Sequence, residues 1–233
     1  MRLTVVGCSG SVPAPRSACS CYLVEEEGYR LLLDLGVGAS GPLQRYAEPH
    51  EIDTVIVSHA HADHWYDLTQ LGYMRTRVGH DEPVRVIGPS NMPEVLLTNP
   101  DVFIATAARP GELKLGPLTA RLAHVMHGTM ECWATRIGDA LCYTADTLPC
   151  PALDELAAGC RVLLAEAADF EANEQKAHLT AADAGRLAAR SGAELLILTH
   201  LRSWHDHRAL LAEATRYARC PVILAQPGLR LSV

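Results

Sequence analysis

No apolar run in the chain approaches the roughly 20 residues that a membrane-spanning helix needs, and none is expected here. The start, MRLTVVGCSG, has no apolar stretch followed by a small-residue cleavage site, so no secretory leader is expected either. There is no basic excess. Twenty Lys and Arg stand against 27 Asp and Glu, a formal net charge of −7. A sequence-independent grip on a phosphate backbone needs clustered cations. The balance therefore argues against nucleic acid as a partner, though it leaves room for a local basic patch. No linker, low-complexity tract or internal repeat divides the sequence. With 233 residues, 48% hydrophobic and 20% charged, the chain can bury one substantial core. Residues 1–233 are read as a single domain.

Cysteine is present, but not as a framework. The eight cysteines are scattered at 8, 19, 21, 132, 142, 150, 160 and 220, in a chain too large to need staples. Cys142 lies in an apolar run where a thiol behaves as a small hydrophobe. Cys19 and Cys21 are too few to close a zinc site, and alternation would put them on one face of one strand. A reduced, cytoplasmic location follows as the expectation. GCSGSVP, with Gly7, Gly10 and Pro13, has the glycines of a phosphate loop but lacks the Lys of a Walker motif.

The hydrophobic pattern is mostly of period two or fully apolar, with helical stretches between. RLTVVG (2–7), CYLVEE (21–26), YRLLLDLG (29–36), TVIVS (54–58) and PVRVIGP (83–89) read as strands, with a tight turn at Gly28. GPLQRYA (41–47) and residues 66–78 read as helices, and 90–111 resist assignment. In the second half GPLTARLAHV (116–125), CWATRIG (132–138) and ALCYTAD (140–146) read as a hairpin series. CRVLLAEAA (160–168), ELLILTH (194–200) and CPVILAQ read as further strands, the last closing the sheet. ALDELAAG is helical. Thr180 with Asp183 forms a capping box opening a helix that Gly192 ends, and Asp206 caps another. Strands with helices interspersed in both halves predict a four-layer α/β/β/α sandwich.

Polar residues fall at the ends of these strands. SHAHADH (58–64) puts three histidines and an aspartate into seven residues directly after TVIV. Asp146 follows LCYTA, His200 follows LLILT, and His127 follows a run through Val125, where alternation favours it over His124. Ends of neighbouring strands meet along one sheet edge and are rigid enough to hold ligand geometry. His59, His61, Asp63, His64, His127, Asp146 and His200 thus form one candidate constellation. Seven ligands exceed one tetrahedral ion and suit two divalent cations, zinc first with manganese or iron as alternatives. His59, His61 and His127 would fix one ion, and Asp63, His64 and His200 the other, with Asp146 between. A bridging hydroxide would then have its pKa drawn towards neutrality. WHDHR (204–208) follows His200 at a helix start and is read as a solvated cap. Tyr73, Met74, Arg75 and Phe103 are read as core or surface as readily as pocket.

SHAHADH resembles the His-x-His-x-Asp-His signature of the metallo-β-lactamase superfamily, and the order His127, Asp146, His200 is similar to its later motifs. LTVVGCSGSVPAPRSACSCYLV and AHLTAADAGRLAARSGAELLILTHL resemble the branch containing ribonuclease Z, phosphodiesterases and arylsulfatases. The resemblance implies the metallo-β-lactamase fold, a binuclear hydrolase, and a homodimer. It also implies that His178 either supports the metal ligands from behind or donates a proton near the leaving group, with Asp63 holding the attacking hydroxide. Only 18 residues separate His127 from Asp146, too few for the tRNA-gripping arm of ribonuclease Z enzymes. The spacing is similar to that of atypical bacterial cyclic nucleotide phosphodiesterases, which implies a small nucleotide-type phosphodiester. The alternatives on the same fold are a thioesterase, lactonase, arylsulfatase or tailoring hydrolase, or an RNA-processing nuclease. Ala145 stands where relatives have Gly or Ser, and Trp133-Ala134 where many have an aromatic-Gly pair. Both departures bear on the pocket more than on the ligands.

Overall fold

The computed structural model describes residues 1–77, 82–92, 101–173 and 177–233. These group into two compact units, Met1–Ala108 with Gln226–Ser232, and Arg109–Ala225 with Val233. Each unit is built on one mixed sheet with helices, in keeping with the α/β class read from the pattern.

The first unit runs β1 (Arg2–Ser9), β2 (Ala18–Cys19), β3 (Cys21–Glu26), β4 (Tyr29–Leu33), α1 (Ser40–Leu43), a 3-10 turn at Pro49–Glu51, β5 (Thr54–Ile56), α2 (Ala62–Trp65), α3 (Leu68–Arg77), β6 (Val84–Gly88) and β7 (Phe103–Ala107). The chain's last strand, Arg230–Ser232, returns to pair antiparallel with β1. β1, β3 and β4 pair antiparallel, and β4, β5, β6 and β7 are parallel in that order. β5 has every residue buried, as its unbroken apolar run requires between two parallel neighbours. Gly28, with φ of 85°, makes the β3–β4 turn.

Three expectations change here. Cys19 and Cys21 do not share a strand: Cys19 ends β2 and Cys21 opens β3, with Ser20 between. The helix expected over 41–47 keeps only Ser40–Leu43, continuing as turns to Ala47. Glu48 precedes a proline and is extended (φ −72°, ψ 147°), the conformation the proline ring imposes. Part of the least readable stretch, Phe103–Ala107, is an edge strand. Residues 78–81 and 93–100, including the last residue of the predicted 66–78 helix, lie outside the described residues.

The second unit runs β8 (Gly111–Leu115), β9 (Leu118–His127), β10 (Met130–Ile137), β11 (Leu141–Tyr143), α4 (Pro151–Ala157), β12 (Val162–Glu166), α5 (Ala181–Ser191), β13 (Leu195–Thr199), α6 (His207–Tyr217) and β14 (Val222–Leu224). β8 to β11 are antiparallel, and β11 to β14 parallel. The capping box is present: Thr180 Oγ1 accepts from Asp183 N and Asp183 accepts from Thr180 N. Gly192 closes α5 at φ 73°, and Asp206 caps α6 by accepting from Arg208 N at 2.9 Å. Gly185 lets α5 approach α6, since a Cβ there would lie 2.3 Å from the Ala214 carbonyl oxygen.

None of the eight cysteines is in a disulfide, and all but Cys220 are buried. Burial pushes Cys8 and Cys160 up to about 11 and Cys19 to about 12. Thiolate is the reactive form. Titration of the native protein with Ellman's reagent at pH 8 should therefore show one fast thiol at most, Cys220, and all eight only in guanidinium. Several fast thiols would contradict this packing. Among the described residues no helix is long and apolar enough to cross a membrane.

Candidate metal-binding residues

In the first unit the histidine turn is built outward from one buried carboxylate. Asp34 follows β4 in a left-handed conformation, φ 61°, and its backbone N–H is tied to the Ile56 carbonyl at 2.8 Å. Its Oδ1 accepts from Ser58 N at 2.7 Å, and its Oδ2 from Ser58 Oγ at 2.9 Å and His64 Nδ1 at 2.7 Å. A carboxylate only accepts, so the His64 proton sits on Nδ1 and Nε2 is the nitrogen available as a ligand. Ser58 Oγ, having given its proton to Asp34, accepts from His59 Nδ1 at 3.0 Å. His59 is fixed in the same tautomer. Its Nε2 lies 3.0 Å from His61 Nδ1, near the roughly 3.3 Å between two nitrogens sharing a tetrahedral ion at about 2.0–2.1 Å.

Asp63 and His64 lie in the single-turn helix α2, after His61 at its N-cap. His59, His64 and Asp63 are buried and His61 is exposed. Asp63 Oδ2 accepts from Ser11 N at 2.8 Å and lies 3.5 Å from His64 Nε2. Ser11 takes φ 65° to aim that N–H. Backbone bonds seat the turn: Leu35 N donates to the His64 carbonyl at 2.8 Å, and Asp67 N to the Leu35 carbonyl at 3.1 Å.

In the second unit the parallel ladder β11–β12–β13 puts three carboxyl-terminal strand ends at one edge, in register through Tyr143↔Leu164 and Glu166↔Thr199. Asp146, Glu166 and His200 issue there. Ala145 and His200 have φ of 52°, so the chain turns sharply on leaving each strand. Asp146 Oδ2 lies 3.2 Å from His200 Nε2 and 3.6 Å from His178 Nδ1. Asp146, Glu166, His178 and His200 each offer one ligand-type atom, all within 4.8 Å of one another. His127 is the last residue of β9 rather than a residue beyond the strand, and is buried where His124 is exposed. Its Nδ1 meets the Ala177 carbonyl at 2.7 Å, which puts the proton on Nδ1 and leaves Nε2 as the ligand-type atom. The His127 and His178 ring centres are 5.0 Å apart, and those of His178 and His200 5.5 Å.

Glu166 was not singled out by the sequence. It is fully buried, its Oε1 accepting from Thr147 N at 2.5 Å and Leu179 N at 3.1 Å. Its Oε2 lies 2.8 Å from His178 Nδ1. Burial, then the neighbouring Asp146 charge, pushes its carboxyl well above the usual range. Asp34 went equally unremarked. Both carried the same signal as Asp146, an acid at the end of an apolar run (LLLD, VLLAE).

Of the residues read as core or surface, Arg75 and Phe103 are buried and Tyr73 is not. Arg75 donates to the carbonyls of Pro49 at 2.9 Å and Ile52 at 3.3 Å. Asp206 of WHDHR caps its helix, and His207 Nε2 lies 2.9 Å from the Arg202 carbonyl. Buried imidazole nitrogens with fixed tautomers, interleaved with carboxylate oxygens, are the donor set that divalent zinc, manganese or iron takes. The residues fit such ions.

The β-lactamase superfamily domain profile matches residues 29–201. An uncharacterized protein of Mycobacterium tuberculosis is 36% identical over 92% of this chain and 85% of its own length. The crystal structure of YhfI from Bacillus subtilis, a metallo-beta-lactamase fold protein, superposes with a TM-score of 0.92 at 29% identity, covering 99% of this chain and 98% of that one. A diphosphatase of the PhnP family shares the fold, with a TM-score of 0.83 at 20% identity over 100% and 97% of the two chains. The chain belongs to the metallo-β-lactamase superfamily, a family of metallo-hydrolases.

Proposed function

We propose that this chain is a binuclear, metal-dependent phosphodiesterase acting on a small nucleotide-type phosphodiester in the cytoplasm. His59, His61, Asp63, His64, His127, Asp146 and His200 would hold the two ions. The observation that carries the reading is the Asp146–Glu166–His178–His200 group at one sheet edge, in a family of metallo-hydrolases. Two divalent cations held there would supply Lewis acidity and draw the pKa of water towards neutrality. The chain's own residues do the rest. Asp34 and Ser58 lock the His59 and His64 rings, and Ser11 N–H holds the Asp63 carboxylate. Glu166 orients the His178 ring, from which a proton passes to the departing oxygen.

Substrate size rests on the chain between His127 and Asp146. It is spent on β10, the turn at 138–140 and β11. Nothing is left for a tRNA-gripping arm, which supports a small substrate over pre-tRNA. The PhnP-family neighbour, a diphosphatase, supports attack at phosphorus. Metal analysis coupled to a panel of cyclic nucleotides, bis(p-nitrophenyl) phosphate, short RNA and acyl thioesters tests this. Two equivalents of metal with the highest kcat/KM on a cyclic nucleotide are expected, and a thioester-selective enzyme would overturn the assignment.

His178→Ala should lower kcat by about 10²–10⁴-fold on substrates with an alkoxide leaving group. It should cost far less on bis(p-nitrophenyl) phosphate, whose leaving group departs without a proton. Glu166→Gln should follow the same trend more weakly. Equal losses on both substrates, with metal content unchanged, would remove His178 from proton donation.

A further inference from the structure

The first unit holds a cleft whose lining includes none of the proposed metal ligands. It has a volume of about 460 Å³ and is walled by Pro13, Pro15, Pro42 and Pro227. Four fixed φ angles make these walls stiff, and a preformed site spends little ordering entropy on its ligand. The turn that carries Arg16 into the lining is closed by reciprocal backbone bonds, Ala14 N to the Ser17 carbonyl at 2.8 Å and Ser17 N to the Ala14 carbonyl at 3.2 Å. Ser17 Oγ accepts from Cys8 N at 3.1 Å, pinning that turn to β1.

The charge of this cleft opposes that of the protein. Arg16 and Arg45 line it with no acidic side chain, in a chain of net charge −7. Beside them the Arg230 guanidinium lies 5.0 Å from the centre of the Tyr46 ring, which is also part of the lining. Among the described residues, none of these three arginines makes an ion pair. Guanidinium groups match phosphate oxygens with two parallel hydrogen bonds. Proline and tyrosine surface suits an organic body rather than a bare ion, and the volume falls in the range of about 300–1,000 Å³ typical of small-molecule sites.

We propose that this cleft binds a phosphate-bearing organic anion of mononucleotide size, its phosphoryl group at Arg16 and Arg45 and its body against the prolines and Tyr46. The test is calorimetric titration of the full chain with AMP and, separately, with inorganic phosphate. It is repeated in Asp146→Ala, which weakens any binding at the metal ions, and in Arg16→Ala/Arg45→Ala. The AMP binding that depends on Arg16 and Arg45 should persist in Asp146→Ala at its wild-type affinity, about tenfold tighter than that of phosphate. The double arginine variant should lose about tenfold in AMP affinity, while its turnover of bis(p-nitrophenyl) phosphate stays at the wild-type level. Binding unchanged in the double arginine variant, binding lost in Asp146→Ala, AMP no tighter than phosphate, or no heat with either would each overturn the proposal. Turnover is read separately, so failure here is distinguishable from failure of the phosphodiesterase reading.

Discussion

Asp146→Ala is expected to reduce turnover of bis(p-nitrophenyl) phosphate by on the order of 10³-fold or more, since Lewis-acid stabilisation is worth several kcal/mol and each 1.36 kcal/mol is tenfold. Metal content should fall with it, from two equivalents to one or fewer. The carboxylate is buried, its Oδ2 is 3.2 Å from His200 Nε2, and Glu166 and His178 crowd the same edge. No neighbouring side chain can take its place without leaving an engagement of its own. Glu166 is held by two backbone N–H groups and by His178. The variant should stay folded, because the β11–β12–β13 ladder at this edge is held by backbone pairing that does not involve the Asp146 side chain. Circular dichroism with elemental analysis and steady-state kinetics checks all three. Activity within tenfold of wild type at normal metal content would take Asp146 out of the ion site.

Most of the residues proposed as ligands could be picked out from the sequence because they sit on strong local patterns. TVIV, LCYTA and LLILT are unbroken apolar runs, and a polar residue at the end of such a run has few places to go but a sheet edge. The strand that carries His127 was read two residues short, to Val125, because Met126 is exposed and only the continued alternation takes β9 on to His127. Asp34 and Glu166 ended equally apolar runs but belonged to no motif, so nothing set them apart from ordinary turn acids. Their role is visible only when Ser58, His64 and His178 are seen around them. Short edge strands were illegible for a different reason. Gly111–Leu115 carries two charges in five residues, and Arg230–Ser232 has three residues with both ends exposed. Their pairing comes from the neighbouring strand, not from their own hydrophobicity. The return of Arg230–Ser232 to β1 is long-range, and no local pattern encodes it.

Gly36→Ala should be the most damaging single methyl in the first unit. A Cβ on Gly36 would lie 1.9 Å from the Asp63 carbonyl oxygen, 2.5 Å from its carbon and 2.8 Å from the Cys19 Cβ. Two of these are backbone atoms, which no rotamer change can relieve. The backbone of residues 35 and 36 is itself clamped on both sides. Gly36 N donates to the Ser20 carbonyl at 2.9 Å, and Leu35 N to the His64 carbonyl at 2.8 Å. The methyl must therefore push the histidine turn away or break those bonds. Overpacking of this kind costs about 1–3 kcal/mol, occasionally more, and the absence of a compliant neighbour argues for the upper end. The urea midpoint should fall with the slope unchanged. Metal content should fall too, because Asp63 and His64 move with the turn. Gly41→Ala is the control: nothing lies within 4 Å of its Cβ, in the short helix α1. Its effect should stay within about 0.5 kcal/mol. If both variants unfold at the wild-type midpoint, the close approach of Gly36 to Asp63 is not what seats the turn.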